Sequence, residues 1–388
     1  MGTGWRTGEQ PVNFDYSEEQ QLLANSVKQF IAKDYTFEAR KEIIDSAAGY
    51  SDRVWSTFAE MGLLGLPFAS EYGGFGGSAV DLMPVMEAIG EGLIVEPYLA
   101  TVGLGGQFIA RGGTATQKKA LLPAVVEGKL KLAFAQSERG ARYDLSHVTV
   151  RAQKTEGGYT LEGEKCVVIH GPCVDKLVVS ARTAGRETSG RGISLFLLDC
   201  NTPGVSSKTY RTVDNLRAAD IRFSGVNVPA DALIGKEGKA LALIEAVVDY
   251  ATALLCCEAV GAIKFANDAT LEYLKTRKQF GVPIGSFQVL QHRMVDMMIS
   301  YEQAKSMASL ACVKVDSADA EERKQVISAA KIKIADACRH VSQESVQLHG
   351  GMGMTEELKV SHTFRRLTTI AQTYGDADHH LTRFAAGK

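Results

Sequence analysis

The sequence predicts an α+β fold in which a β domain is inserted between two helical regions, and three observations carry the prediction. Apolar residues fall at helical spacing over 14–128, short β-rich runs separated by Gly, Pro and Asp fill 129–235, and helical spacing returns over 236–388. Residues 1–13 stand apart as a flexible arm. The stretch Met1 to Pro11 is Gly-rich and has no apolar core, so it does not read as a signal peptide.

In the first region, Ser17-Glu18-Glu19-Gln20 has the pattern of a capping box, and Leu22, Leu23, Val27, Phe30 and Ile31 follow at helical spacing. Further helices are expected at Asp52–Met61, Ser78–Glu91, Tyr98–Arg111 and Thr116–Glu127. Between them, Gly73-Gly74-Phe75-Gly76-Gly77 reads as a turn whose glycines open backbone conformations closed to other residues. In the middle region, strands are expected at Val148–Val150, Tyr159–Leu161, Cys166–Ile169, Leu177–Ser180 and Ile193–Leu198, with a hairpin at Gly157-Gly158 and an exit through Val226–Pro229. The last region predicts helices over Ala240–Thr276, Phe287–Val315, Ala320–Gln347 and Ser361–Phe384.

Composition bounds the function classes. The net charge of −2 and the lack of a clustered Lys/Arg excess argue against nucleic acid as a main partner. No uninterrupted apolar run reaches the roughly 20 residues of a spanning helix, so no membrane partner is expected. The seven cysteines are odd in number, lie mostly in apolar runs and show no CxxC spacing, which predicts reduced thiols, no metal site and a cytoplasmic compartment.

The stretch from Lys275 to Met294 joins two helical segments. Gly281 and Pro283 break the pattern, and Ser286 is placed to cap the helix entered through Phe287 and Leu290. A helix–turn–helix corner accounts for those three residues but not for Arg277 beside Gln279-Phe280, nor for Phe287-Gln288. A guanidinium next to an aromatic ring at a helix end suits a planar, phosphate-bearing ligand. The run Arg277-x-Gln279-Phe280-Gly281-x-x-Ile284-x-x-Phe287-Gln288 resembles the signature of the acyl-CoA dehydrogenase family, and Gln347-Leu-His-Gly350-Gly351-Met-Gly353 supplies a second match in the expected order and separation. The resemblance implies a middle β-barrel domain, a C-terminal four-helix bundle, and FAD as cofactor for α,β-desaturation of an acyl-CoA. By the same resemblance, Arg277 holds the FAD pyrophosphate of a neighbouring subunit, with Phe280 and Gln288 beside it, and Gln347, Gly350 and Gly351 bracket the adenosine end. A dimer of dimers and an electron-transfer flavoprotein as electron acceptor are also what the family implies.

The family places its flavin face in the β domain. Ala133-Phe134-Ala135-Gln136-Ser137-Glu138 stands at that position, so Phe134, Gln136 and Ser137 are the candidates to contact the isoalloxazine; an ordinary amphipathic strand has the same pattern. Where the family has Trp-Ile-Thr, this chain has Val167-Val168-Ile169 after Gly163-Glu-Lys165, so Val167 and Ile169 replace a stacking ring and a hydroxyl. Arg142-Tyr143-Asp144 replaces a common Gly-Ser-Asp. Arg142 then either contacts a phosphate or a carboxylate on the acyl chain, with Tyr143 alongside, or is a solvated loop arginine.

The chemistry requires a base at Cα, which in most of the family is a Glu in Tyr-Glu-Gly near the C-terminus. This chain has Tyr374-Gly375-Asp376 there, so Tyr374 faces substrate and Gly375 occupies the glutamate position. The alternative family position, counted back from Phe280, holds Ala251, and Asp249 two residues away faces elsewhere on a helix. Asp376 is the nearest substitute. It is either the base or, with Asp378, a cap for the helix into Leu381. Adjacent His379-His380 point apart on a helix and lack a third metal ligand.

The run Gly375–Phe384, with Glu96-Pro97-Tyr98-Leu99 and Arg142-Tyr143-Asp144, is more similar to the small subunits of pimeloyl-CoA dehydrogenases and to subunits of heteromeric steroid acyl-CoA dehydrogenases. Those assemblies pair unlike homologous chains, one of which carries the glutamate. Three readings follow: a dehydrogenase subunit for a dicarboxylyl or bulky acyl-CoA, an acyl-CoA oxidase, and a non-catalytic FAD-binding partner subunit.

Overall fold

The computed structural model describes residues 17–386, so the expected arm at 1–13 lies outside the described residues. The N-terminal helices are α1 (Glu18–Asp34), α2 (Phe37–Asp45), α3 (Asp52–Glu60), α4 (Ala79–Gly92), α5 (Gly106–Gly112) and α6 (Ala115–Val126), with a π-helical turn at Leu99–Gly105 leading into α5. The capping box at α1 forms: the Ser17 hydroxyl accepts the Gln20 N–H at 3.2 Å, and the Gln20 side chain accepts the Ser17 N–H at 3.0 Å.

The middle region holds β1 (Leu132–Ala135), β2 (Arg151–Thr155), β3 (Gly158–Ile169), β4 (Lys176–Arg182), β5 (Ile193–Asp199), β6 (Val205–Arg211), β7 (Arg217–Pro229) and β8 (Leu233–Ile234). They form one mixed sheet in the order β6-β7-β3-β2-β4-β5-β8, with β1 parallel to β4. The sheet is open, which corrects the expectation of a β-barrel. Its edges are β6 and β8, β8 is two residues long, and β2 joins β4 through the single pair Arg151↔Arg182, so closure has neither an edge nor a continuous ladder to use. Val148–Val150 precedes β2 rather than forming a strand, and the expected strands at Tyr159 and Cys166 are one bulged strand. The polar strand β6 has no apolar alternation and escaped the sequence reading.

The C-terminal region comprises α7 (Leu241–Thr276), the two-residue hairpin strands β9 (Lys278–Gln279) and β10 (Val282–Pro283), then α8 (Gln288–Lys314), α9 (Ala320–His349), α10 (Lys359–Gln372) and α11 (Ala377–Ala386). The single helix expected over Ser361–Phe384 is broken at Thr373–Asp376, where Tyr374 takes φ 59° and Gly375 φ 127°. Ser286 does not cap α8; Phe287 stands at the N-cap position without a capping side-chain bond, and the Ser286 hydroxyl donates to the Pro283 carbonyl at 2.7 Å. α7 is long and apolar enough to cross a membrane, but 94% of its most apolar window is buried inside the protein.

The two helical regions share one core. Val85, Met86 and Ile89 of α4 pack in the same cluster as Leu255, Ala259 and Ile263 of α7. The helices cross where Gly90 meets the Glu258 carbonyl and Gly261 meets the Glu87 carbonyl; a Cβ at either glycine would collide with that oxygen. The sheet keeps a separate core of Leu161, Val179, Phe196, Ile221 and Phe223. All seven cysteines are free thiols, five of them buried.

Candidate active site

Sheet, α7 and the α10–α11 corner converge on a cavity of about 380 Å³. Phe134, Gln136, Ser137, Val167 and Ile169 line it from the sheet, Arg142 and Tyr143 from the following loop, Val248 and Leu255 from α7, and Tyr374, His379 and His380 from the corner. Phe134 is held by Phe108, their ring centroids 4.5 Å apart. Seven described non-glycine residues adopt positive φ, and four of them, Arg142, Val167, His170 and Tyr374, line this one cavity. Backbone strain of this kind persists only where the surroundings over-determine it, and it clusters at functional sites. The β-bulge between Lys165 and Val168 turns Val167 out as an apolar ledge, 49% exposed, while its N–H donates to Asp220 Oδ1 at 3.1 Å.

Below the sheet wall lies a buried ion pair. Lys165 Nζ donates to Glu138 Oε1 at 2.6 Å, to Ser180 Oγ at 2.8 Å and to the Gln136 carbonyl at 3.1 Å, which uses all three of its protons. Glu138 also accepts the Thr149 and Val150 N–H groups and the Thr149 hydroxyl. Burial pushes the Lys165 ammonium down to about 8 against the pull of Glu138. Burial also opposes charge on Glu138, but Lys165 and the Thr149 bonds outweigh it and hold the carboxyl below its ordinary value.

The opposite wall is equally tied down. Arg366 donates to Glu258 at 2.6 Å and Asp214 at 2.7 Å; burial disfavours its charge, and the two carboxylates more than restore it. Buried Lys331 donates to the Ala371 carbonyl at 3.1 Å and the Gly375 carbonyl at 2.8 Å, fixing the α10–α11 corner. His380 bonds Ser328 and the Tyr374 carbonyl, and burial lowers its pKa to about 3. His170 is buried, its Nδ1 without a partner, and burial and the Arg366 charge lower its pKa to about 4. These imidazoles are neutral at physiological pH.

The carboxylates lining the cavity are Asp144 and Asp249, so Asp249 does not face away as its spacing from Ala251 predicts. Both are engaged: Asp249 pairs with Arg323 at 3.0 Å and Arg383 at 2.7 Å, and Asp144 accepts the Ser146 N–H and hydroxyl. Asp376 instead lines a second hollow of about 550 Å³ with Asp336, Arg339 and Asp378, and its Oδ1 accepts the His379 N–H at 2.8 Å. Ala251 is buried in the apolar packing of α7. Arg142 has no side-chain partner among the described residues, and Tyr143 donates to Gln372 at 3.3 Å.

The sequence candidates therefore fall into two groups. Phe134, Gln136, Ser137, Arg142, Tyr143, Val167, Ile169 and Tyr374 share the cavity. Arg277, Phe280, Gln288, Gln347, Gly350 and Gly351 do not line it; they lie on an exposed face, behind which the buried His349 ring stacks on Tyr273 at 4.4 Å and ties α9 to α7. Phe280, on the β9–β10 turn, is 92% exposed at φ 54°. Leu255 is the α7 cavity residue nearest this face, and Arg277 lies about six turns further along, roughly 33 Å at 1.5 Å per residue. A chain does not bring its own Arg277 to its own cavity.

Sequence reasoning missed His170, Lys331, the Arg366 pairs and the use of Lys165. Lys165, Lys331 and Arg366 find their partners in other segments of the chain, and the buried His170 Nδ1 has none. The signal available was Lys165 itself, a lysine within a strand run that the fold buries completely.

Comparison with known proteins shows the family to which the chain belongs. The acyl-CoA dehydrogenase N-terminal, middle and C-terminal domain models match residues 17–129, 133–226 and 241–387. Acyl-CoA dehydrogenase FadE12 of Mycobacterium tuberculosis is 30% identical over 370 residues, covering 92% of this chain and 93% of that protein. Among solved structures, the FAD complex of PigA superposes with a TM-score of 0.89 at 27% identity, covering 97% of this chain and 98% of that one. A variant of the Tcur3481–Tcur3483 steroid ACAD gives 0.85 at 28% identity over 95% and 97% of the two chains. The ChsE4–ChsE5 complex from Mycobacterium tuberculosis gives 0.86 at 25% identity over 97% and 98%. The chain belongs to the acyl-CoA dehydrogenase family.

Proposed function

We propose that this chain is an FAD-binding subunit of an acyl-CoA dehydrogenase that desaturates a bulky or dicarboxylyl acyl-CoA, with the α-proton taken by a carboxylate of a homologous partner chain. The observation that carries the reading is that both carboxylates lining the cavity are already committed, Asp249 to two arginines and Asp144 to Ser146. A free base of raised pKa is what proton abstraction at Cα requires.

The donor set fits FAD. Ser137 lines the cavity with an N–H that has no acceptor among the described residues, and Val167 lines the same cavity as an apolar ledge. Phe134, Gln136, Ser137, Val167 and Ile169 would hold the ring system, and Arg277, Phe280, Gln288, Gln347, Gly350 and Gly351 would hold the phosphate and adenosine end of a partner's cofactor. When bound, FAD supplies the hydride acceptor for the desaturation. This chain's part is to exclude water with Phe134, Leu99 and Leu104, to orient the thioester against Tyr374, and to receive the acyl end near Arg142 and Tyr143. An electron-transfer flavoprotein is the acceptor this reading expects, and the seven free thiols suit a reducing compartment such as the cytoplasm.

The placement of Arg277 away from its own cavity supports an assembly of two or more chains, and the similarity to two-component complexes supports a heteromeric one. The exposed apolar side chains Phe280, Val289, Val295, Met298 and Ile299 on the β9–β10 turn and α8 suit burial in such an assembly. A second reading keeps Asp376 as the base. It is favoured by the hydrogen bond from the His379 N–H to Asp376, since His379 lines the cavity.

The test is the anaerobic visible spectrum of the chain expressed alone and with a homologous partner, before and after pimeloyl-CoA, a medium-chain acyl-CoA and a steroid side-chain CoA thioester. Bleaching only with the partner supports the proposal. Bleaching of the lone chain makes it self-sufficient and turns the assignment to Asp376.

A further inference from the structure

Lys165 is a fully buried ammonium whose third proton goes to a backbone carbonyl rather than to a side chain. That carbonyl belongs to Gln136, and the N–H of the same peptide unit is that of Ser137. The peptide is polarised from one side only. Its carbonyl accepts a charged donor, its N–H meets no acceptor among the described residues, and Ser137 lines the cavity. Accepting a charged hydrogen bond at a peptide oxygen withdraws electron density through the amide and makes the N–H a stronger donor. The Ser137 carbonyl accepts the Cys166 N–H at 2.8 Å, which pins the segment to β3 on its far side.

The ammonium is held by groups that do not face the cavity. Glu138, itself fixed by Thr149 and Val150, and Ser180 take its other two protons. An ion pair this deep is weak evidence for stability, because the desolvation of both charges offsets their attraction. Its placement under one peptide of the cavity wall points to a different use.

We propose that Lys165 is a positioning residue that strengthens the Ser137 N–H as a donor toward the reduced form of the bound flavin, with the Glu138 carboxylate holding Lys165 in place. This rests on the reading that FAD lies in the cavity of this chain. A donor poised where negative charge develops favours the charged state without reorganising. The reduced flavin is therefore stabilised over the oxidised one, and the potential rises.

The experiment uses the FAD-loaded assembly and measures FAD content and the two-electron potential of the bound flavin, for the wild type, Lys165→Met, Lys165→Gln and Ser180→Ala. Lys165→Met is expected to shift the reduced-to-oxidised preference at least tenfold toward oxidised, a fall of about 30 mV for a two-electron couple. Lys165→Gln, which retains an N–H for the Gln136 oxygen, falls by less and stands in for the Met variant if that one does not fold. Ser180→Ala disturbs the same buried site without removing the charge and is expected to change the preference less than twofold. Unchanged potentials in flavin-loaded Lys165 variants, or an equal fall in Ser180→Ala, would overturn the inference and leave the cofactor reading standing. A wild-type assembly without flavin would overturn both.

Discussion

Asp376 Oδ1 accepts the backbone N–H of His379 at 2.8 Å, so the carboxylate nearest the family's glutamate position is the N-cap of α11. The cap satisfies one of the donors left unpaired at the helix start and turns the side chain toward the second hollow, where it stands with Asp378. Asp376→Ala is expected to cost about 1 kcal/mol in denaturant unfolding, and Asp376→Asn, which still caps, only a few tenths. In the assembled enzyme Asp376→Asn should retain full flavin reduction by substrate. A fall on the order of 10²–10⁴-fold would make Asp376 the base instead.

Gly375 occupies the glutamate position for a steric reason. At φ 127° a Cβ would lie 2.6 Å from both His379 Cδ2 and His380 Nε2. Gly375→Ala is expected to cost about 1–3 kcal/mol from the backbone alone and to displace the corner that carries Tyr374 into the cavity. Thermal unfolding checks the first effect, and an altered substrate-induced spectrum checks the second.

His170 gives a pH dependence whose sign is fixed. Its folded pKa of about 4 lies below the ordinary value of 6.5, so between those two pH values the unfolded chain binds more protons. Its contribution to stability is complete above pH 6.5 and is lost as pH falls through 4. Full loss amounts to at most roughly 3 kcal/mol at 1.36 kcal/mol per pH unit. Urea unfolding of His170→Asn should show a correspondingly flatter profile across that window; an unchanged slope would remove His170 as a source.

Arg366 neutralises two buried carboxylates at once. Arg366→Gln leaves Glu258 and Asp214 in a dry core without a cation, and an expected loss of about 3–5 kcal/mol follows. Adding Glu258→Gln to it should recover part of the loss, because one orphaned charge is removed. Failure to recover any would mean that packing, not charge, decides the cost.

Arg142 offers the one test of acyl chemistry at the cavity. Its guanidinium has no partner among the described residues, and it lies beside Tyr143 on the loop after the sheet wall. Arg142→Glu should lower kcat/KM for a dicarboxylyl-CoA at least tenfold more than for a monocarboxylyl-CoA of equal length, about 1.4 kcal/mol of discrimination. Equal losses for the two substrates would remove carboxylate recognition and leave the bulky-acyl alternative.

The helix–sheet–helix order and the boundaries of α3, α4, α7 and α9 were legible from apolar spacing within a residue or two, because each is long or strongly periodic. Two spaced motifs, at Arg277–Gln288 and Gln347–Gly353, were enough to identify the family, since both are local runs of residues. The polar strand β6, the open edges of the sheet and the break at Tyr374–Gly375 were not legible. Sheet closure depends on which distant strands pair, and the break depends on two left-handed residues between otherwise helical spacings.

The sequence by itself determined the class of the protein and its two signature motifs, because periodicity and short motifs are properties of neighbouring residues. Only the tertiary structure decided which residues meet. It set Arg277 far from its own cavity at the end of a 36-residue helix, turned Asp376 into a cap, and buried Lys165 beneath the Gln136–Ser137 peptide. The physical reason is that burial, ion pairing and distance arise from contacts between segments far apart in the chain, and no local pattern encodes them.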